Sequence, residues 1–159
     1  MTTRISIPDT QATLKQIMEG IIGEICHQVD FSYGDELQLD FGKMTAYSHP
    51  KLAHLYKGSW QLGTRATEWT LKQKNKISHK RQRLEDVQLL KEKKIIDFII
   101  DENSMGLILL FEKNYQLVLK PDLKYDSGLS YWELMMPKEQ ILIVGPGLSW
   151  QCKSMHDLV

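Results

Sequence analysis

The sequence predicts an α+β domain that is mostly antiparallel β-sheet, either a sandwich or a partial barrel, with an N-terminal amphipathic helix. Three observations predict it. From Gly106 to Lys120 the apolar residues alternate on both sides of the polar turn Glu112-Lys113-Asn114: Leu107, Leu109 and Phe111 share one face, and Leu117 and Leu119 return along it. Turn residues recur at roughly ten-residue intervals along most of the chain, a spacing typical of sheets with short connections. Between Ala12 and Val29, in contrast, Leu14, Ile17, Met18, Ile21, Ile22, Ile25 and Val29 recur three and four apart, the period of a helix.

With 159 residues, 42% apolar and 25% charged, the chain is long enough for one hydrophobic core and short for two, so 1–159 is read as a single domain. Equal numbers of acidic and basic residues leave no net charge. Global attraction to nucleic acid or an anionic membrane is therefore not expected, and any steering must be local. Two distant cysteines, Cys26 and Cys152, and no basic-then-apolar leader fit a reducing, cytoplasmic setting. The longest apolar runs are too short to span a bilayer, which takes about 20 residues as a helix.

Taken in order, Asp9 or Thr10 is placed to cap a helix over 9–29, and Gly20 and Gly23 within it make that helix dependent on packing. A β-rich core follows over 34–150. Leu37, Leu39 and Phe41 alternate with Glu36, Gln38 and Asp40 as a half-buried strand, and Thr45 to Lys57, with Pro50 and two histidines, has no period and reads as a surface loop. Trp60 and Leu62 stand on one parity and Trp69 and Leu71 on the other, which requires a bulge or bend near Gly63 to Ala66, or a tight hairpin with one Trp-x-Leu unit on each arm. Leu84 to Leu90 reads as a helical turn or a short strand. Ile95 to Ile100, Tyr131 to Met136 and Ile141 to Val144 read as strands, giving roughly seven or eight in all, and 151–159 as a terminal tail. No repeat of fixed length stands out.

Chemistry is sparse. His27, His49, His54, His79 and His156 are dispersed, none completes a zinc set, and no metal or cofactor is expected. Cys26 falls on the apolar stripe, where packing is the simpler role. Carboxylates such as Asp40, Asp101 and Glu102 read as solvated strand or turn residues, and Gly145-Pro146-Gly147 lacks the residues of a phosphate loop. Two groups remain as binding candidates. One is the basic run Lys72, Lys74, Lys76, Lys80, Arg81 and Arg83, a stretch without Asp or Glu that reads as a solvated loop or a partner-binding patch. The other is the set Trp60, Trp69, Trp132 and Trp150, most of which read as core or sheet packing, with an aromatic groove or dimer face as the role of the remainder.

Gly58-Ser-Trp-Gln-Leu, Glu68-Trp-Thr-Leu, Leu107-x-Leu-x-Phe111 with Leu117-x-Leu119, Tyr131-Trp132 and Ile143-Val-Gly-Pro-Gly-x-x-Trp150 come in an order that resembles a group of small, uncharacterised bacterial β-rich proteins. Some of these are similar to immunity-type or accessory proteins encoded near toxins. The resemblance spans about Gly34 to Trp150, implies no catalytic residue, and departs from that group in the basic run at 72–83. The expected function is that of a non-enzymatic cytoplasmic accessory protein that binds another protein, with homodimerisation as a second mode of association. The alternatives are a small hydrolase whose histidines and carboxylates meet only on folding, and a nucleic-acid module using residues 72–83.

Overall fold

The computed structural model describes residues 12–32, 35–73, 76–77, 83–124 and 127–157. The first helix is far shorter than the 9–29 expected from the apolar spacing. Helix α1 covers Leu14–Met18, opened by a reciprocal cap in which Thr13 Oγ1 accepts from the Gln16 amide and Gln16 Oε1 accepts from the Thr13 amide. One 3-10 turn, Glu19–Ile21, extends it. Ile22 is already extended, Gly23 takes φ +95, and strand β1 runs over Cys26–Ser32. The proposed capping residues Asp9 and Thr10 lie outside the described residues. The misreading has a physical cause: the β1 register shifts between Cys26 and Gln28, so Cys26 and Val29, three apart, both face inward. A bulged strand thereby imitates helical spacing.

Strand β2 follows at Glu36–Phe41, then the two-residue pair β3 (Thr45–Ala46) and β4 (Tyr56–Lys57), β5 (Trp60–Thr64), β6 (Thr67–Gln73) and β7 (Lys76–Ile77). Helix α2 (Arg83–Asp86) and the 3-10 turn Val87–Leu90 lead to β8 (Ile95–Asp101), β9 (Gly106–Phe111), β10 (Tyr115–Pro121), β11 (Trp132–Met136), β12 (Gln140–Val144) and β13 (Trp150–Ser154). The hairpin expected over Gly106 to Lys120 is β9 and β10, with Leu109 opposite Leu117 and Leu107 opposite Leu119. Residues 151–154, expected as part of a tail, instead pair with β12 and form the edge strand of the sheet.

Apart from the β3–β4 pair, the strands form two open antiparallel sheets, β1-β2-β5-β11-β12-β13 and β7-β6-β10-β9-β8. Of the expected devices for the parity break between Trp60 and Trp69, the structure shows the bend, at Arg65–Ala66, and neither a bulge nor a hairpin. The chain leaves one sheet after β5 and enters the other at β6, so each Trp-x-Leu unit is buried in a different sheet. A second crossing precedes β11, and the two run side by side: the Arg65 amide donates to Tyr131 O at 2.8 Å and the Ala66 amide to Ser130 O at 3.1 Å.

These crossings belong to an internal pseudo-two-fold arrangement. Ile25 and Lys94 form an antiparallel bridge. Around it, the Gly23 amide donates to Ile95 O and the Glu92 amide to Cys26 O, while the Cys26 amide donates to Lys93 O and the Ile95 amide to Glu24 O. Exchanging Gly23 with Glu92, Glu24 with Lys93 and Cys26 with Ile95 returns the same set of bonds. Each half has a short helix with a 3-10 turn, a positive-φ residue (Gly23, Glu92), a strand bulged after its first residue, and two further strands. The strand after those, β6 or β11, is handed to the other half's sheet.

One core serves both sheets. Leu39, Phe41, Leu62 and Leu134 join Leu71, Leu109, Phe111 and Leu117, with Phe41 and Phe111 stacked at 6.3 Å near the pseudo-axis. Trp69 Nε1 donates to Asp35 O at 2.7 Å, and its counterpart Trp132 donates to Met105 O at 2.9 Å. Each ring thus ties its own sheet to a turn belonging to the other. No helix among the described residues is long and apolar enough to cross a membrane.

Candidate functional site

The residues singled out from sequence do not assemble. Trp60, Trp69 and Trp132 are buried at 6%, 1% and 0% exposure, so they are core rings and not the walls of an open groove; inward parity on their strands accounts for each. Trp150 packs partly buried against the same core. In the basic run, Lys72 is half-buried on β6, and the backbones of Lys76 and Arg83 lie in β7 and α2. Lys74, Lys80 and Arg81 lie outside the described residues.

The histidines and cysteines among the described residues are equally scattered, and His79 lies outside them. His27 Nδ1 lies 3.5 Å from Glu92, His156 pairs with Glu139 at the surface, and His49 Nδ1 accepts from the Lys51 amide as the cap of a 3-10 turn. Burial pushes the Cys26 thiol up to about 12, which keeps it protonated at neutral pH, and burial also raises Cys152. No metal-ligand cluster of His, Cys, Asp or Glu occurs among the described residues.

A different group is brought together. Gln28, Asp40 and Gln61 stand opposite one another on β1, β2 and β5, on the face of the six-stranded sheet away from the core. Alternation predicts a solvated carboxylate there. Instead, Asp40 has no exposed surface. Gln61 Nε2 donates to its Oδ1 at 2.6 Å, the Gly58 amide donates to the same oxygen at 3.3 Å, and Gln28 Nε2 donates to Oδ2 at 3.2 Å. Burial raises the Asp40 carboxyl above the ordinary carboxylate range; the bonds from Gln61 and Gly58 pull it back in part, and Asp30 pushes it further up.

The Gly58 amide belongs to the end of the excursion between β2 and β5. Residues 43–58 fold back as an independent small unit: β3 pairs with β4, the Tyr47 amide donates to Leu55 O, and Lys57 Nζ sits 5.4 Å from the Tyr47 ring centre. Its far end is pinned by Gly58, whose bare Cα lies against the Phe41 backbone where any Cβ would collide. Gln28 Nε2 also reaches Tyr56 O at 3.4 Å. Among the residues the excursion presents to solvent are three large apolar or aromatic ones, Leu52, Leu55 and Tyr56 at 40%, 45% and 52% exposure, alongside exposed Lys43, His49, Lys51, His54 and Lys57. On the same sheet lies a trough of about 140 Å³ lined by Glu36, Gln38, Gln61, Gly63, Arg65 and Glu133 among others.

Sequence reasoning missed this site because its signal is comparative. The equivalent connection in the second half is the three-residue turn Glu112–Asn114, so residues 43–58 are an insertion relative to the repeat. Without the repeat in view, they read as an ordinary loop. Compared with known protein families, curated proteins and solved structures, the chain matches none.

Proposed function

We propose that this chain is a non-enzymatic, cytoplasmic accessory protein of immunity or regulatory type, and that the 43–58 excursion is where it meets its protein partner. Two open sheets around one core, read as a sandwich, supply the rigid support. The observation that carries the reading is the excursion itself. It is added to a repeat that folds without it in its other half, it is held by a buried carboxylate network, and it displays Leu52, Leu55 and Tyr56. Apolar and aromatic side chains on a segment fixed in advance lose little entropy on binding, which is how small loops become contact sites. The hydrolase alternative finds less support: the donors to Asp40 are amides, and neither His49 nor His54 pairs with a carboxylate among the described residues.

Affinity purification of the tagged chain from its native cell, followed by mass spectrometry, tests this. A stoichiometric protein partner is expected with the native chain. Leu55→Ser/Tyr56→Ser should weaken its binding at least about 30-fold, the scale of a hot-spot loss, without moving the melting temperature by more than a degree or two. Equal recovery of the partner by both proteins would remove the excursion from the interface.

A further inference from the structure

The outer face of the five-stranded sheet differs in kind from that of its neighbour. Register places Ile99, Ile108, Val118 and Thr70 side by side across β8, β9, β10 and β6, an aliphatic row with Ile99 51% exposed at one end. The adjacent row is Asp97, Leu110, Gln116 and Lys72, acidic at the β8 end and basic at the β6 end. Residues on the same strands that alternate with these, such as Phe98, Leu109, Leu117 and Leu71, are buried in the core, which fixes the two rows as outward.

We propose that this face is a self-association surface whose occupant is the same face of a second copy of the chain. The charge arrangement selects that occupant. A two-fold axis lying in the interface, parallel to the strands and between β9 and β10, sets β8 of one copy over β6 of the other at the same height. Asp97 then meets Lys72 of the second copy, the reciprocal pair forms by symmetry, and Ile108 meets Val118 at the centre. Stacked twisted sheets cross at about 30°, which leaves these central contacts within reach. Four strands about 4.8 Å apart carry a face of roughly 400 Å² per copy, half of a standard interface. So small an area fits a weak, reversible dimer that forms only at high protein concentration. Because the 43–58 excursion stands on the opposite sheet, a dimer displays two of them outward.

Sedimentation equilibrium over roughly 5 µM to 1 mM at moderate salt tests the arrangement. The native chain should pass from monomer to dimer. Asp97→Lys and Lys72→Asp should each weaken self-association at least tenfold, since each places like charges at both meeting points. An equimolar mixture of the two variants should regain it, because across the two-fold every charge then faces its opposite. A native chain that stays monomeric throughout, or a mixture that stays monomeric while the native chain dimerises, overturns the proposal. Asp97 Oδ1 also accepts from the Phe98 amide at 2.8 Å. Should D97K unfold for that reason, K72D and Ile108→Lys decide alone, and a dimer of native strength in either overturns the proposal.

Discussion

Asp40 occupies the place on β2 where alternation asks for an exposed polar residue, yet it has no exposed surface and is bonded by Gln61, Gln28 and the Gly58 amide at the end of the 43–58 excursion. A carboxyl raised by burial binds protons more tightly in the folded than in the unfolded chain. Between its unfolded value and its raised folded value, the folded state therefore holds more protons, and this group's contribution to stability falls as pH rises through that window. Below the window the contribution is most favourable; above it the cost of the buried charge is fully felt. Asp40→Asn removes the titration while keeping an oxygen for Gln61 and Gly58. The difference in unfolding free energy between native and D40N proteins, measured by urea titration from acid to neutral pH, should shift in favour of D40N as pH rises. A pH-independent difference would mean that Asp40 is not titrating in a desolvated site.

At the scale of elements, the same carboxylate holds an entire excursion. Asp40→Ala leaves Gln61 and the Gly58 amide without their acceptor, a loss of about 1–3 kcal/mol for buried donors. The effect should be local. Hydrogen exchange at the Gly58 and Tyr47 amides should accelerate, while the β9–β10 ladder keeps its protection relative to the global stability; uniform acceleration would show that the excursion is not a separable unit. Elements differ in how far they could be read beforehand. The β9–β10 hairpin was legible because alternation and a three-residue turn are local facts. The span 9–29 was not, because the bulge after Cys26 spaces inward residues as a helix does, and only pairing with β2 distinguishes the two.

For the whole molecule, exchange of β6 and β11 between halves makes the fold indivisible, since each sheet is completed by a strand from the other half. Trp69 and Trp132 reinforce this by bonding from one sheet to a turn of the other. Trp132→Phe leaves the buried Met105 carbonyl without its donor and should cost about 1–2 kcal/mol. Because neither half has a core of its own, far-ultraviolet circular dichroism and tryptophan fluorescence should show one coincident transition, shifted together in the variant. Separated transitions would contradict a shared core. The repeat is hidden in the sequence because its two copies are unequally spaced. Its trace is short: Leu37-x-Leu39-x-Phe41 recurs as Leu107-x-Leu109-x-Phe111 and Trp69-x-Leu71 as Trp132-x-Leu134. The 43–58 excursion lies between the two motifs in one half only and breaks their spacing, and other equivalent places differ, as Gly23 and Glu92 do.

The sequence by itself determined the β-rich character, the antiparallel pairing of β9 with β10, and the positions of most strands, because period-two alternation and turn chemistry act over a few residues. It also determined which tryptophans had inward parity, though not which sheet each would enter. Tertiary structure alone decided the crossing between sheets at Arg65–Ala66, the end of α1 at Met18, and the burial of Asp40. Each of these depends on partners distant along the chain. A strand's alternation says which side chains share a face, and what covers that face is set by segments arriving from elsewhere.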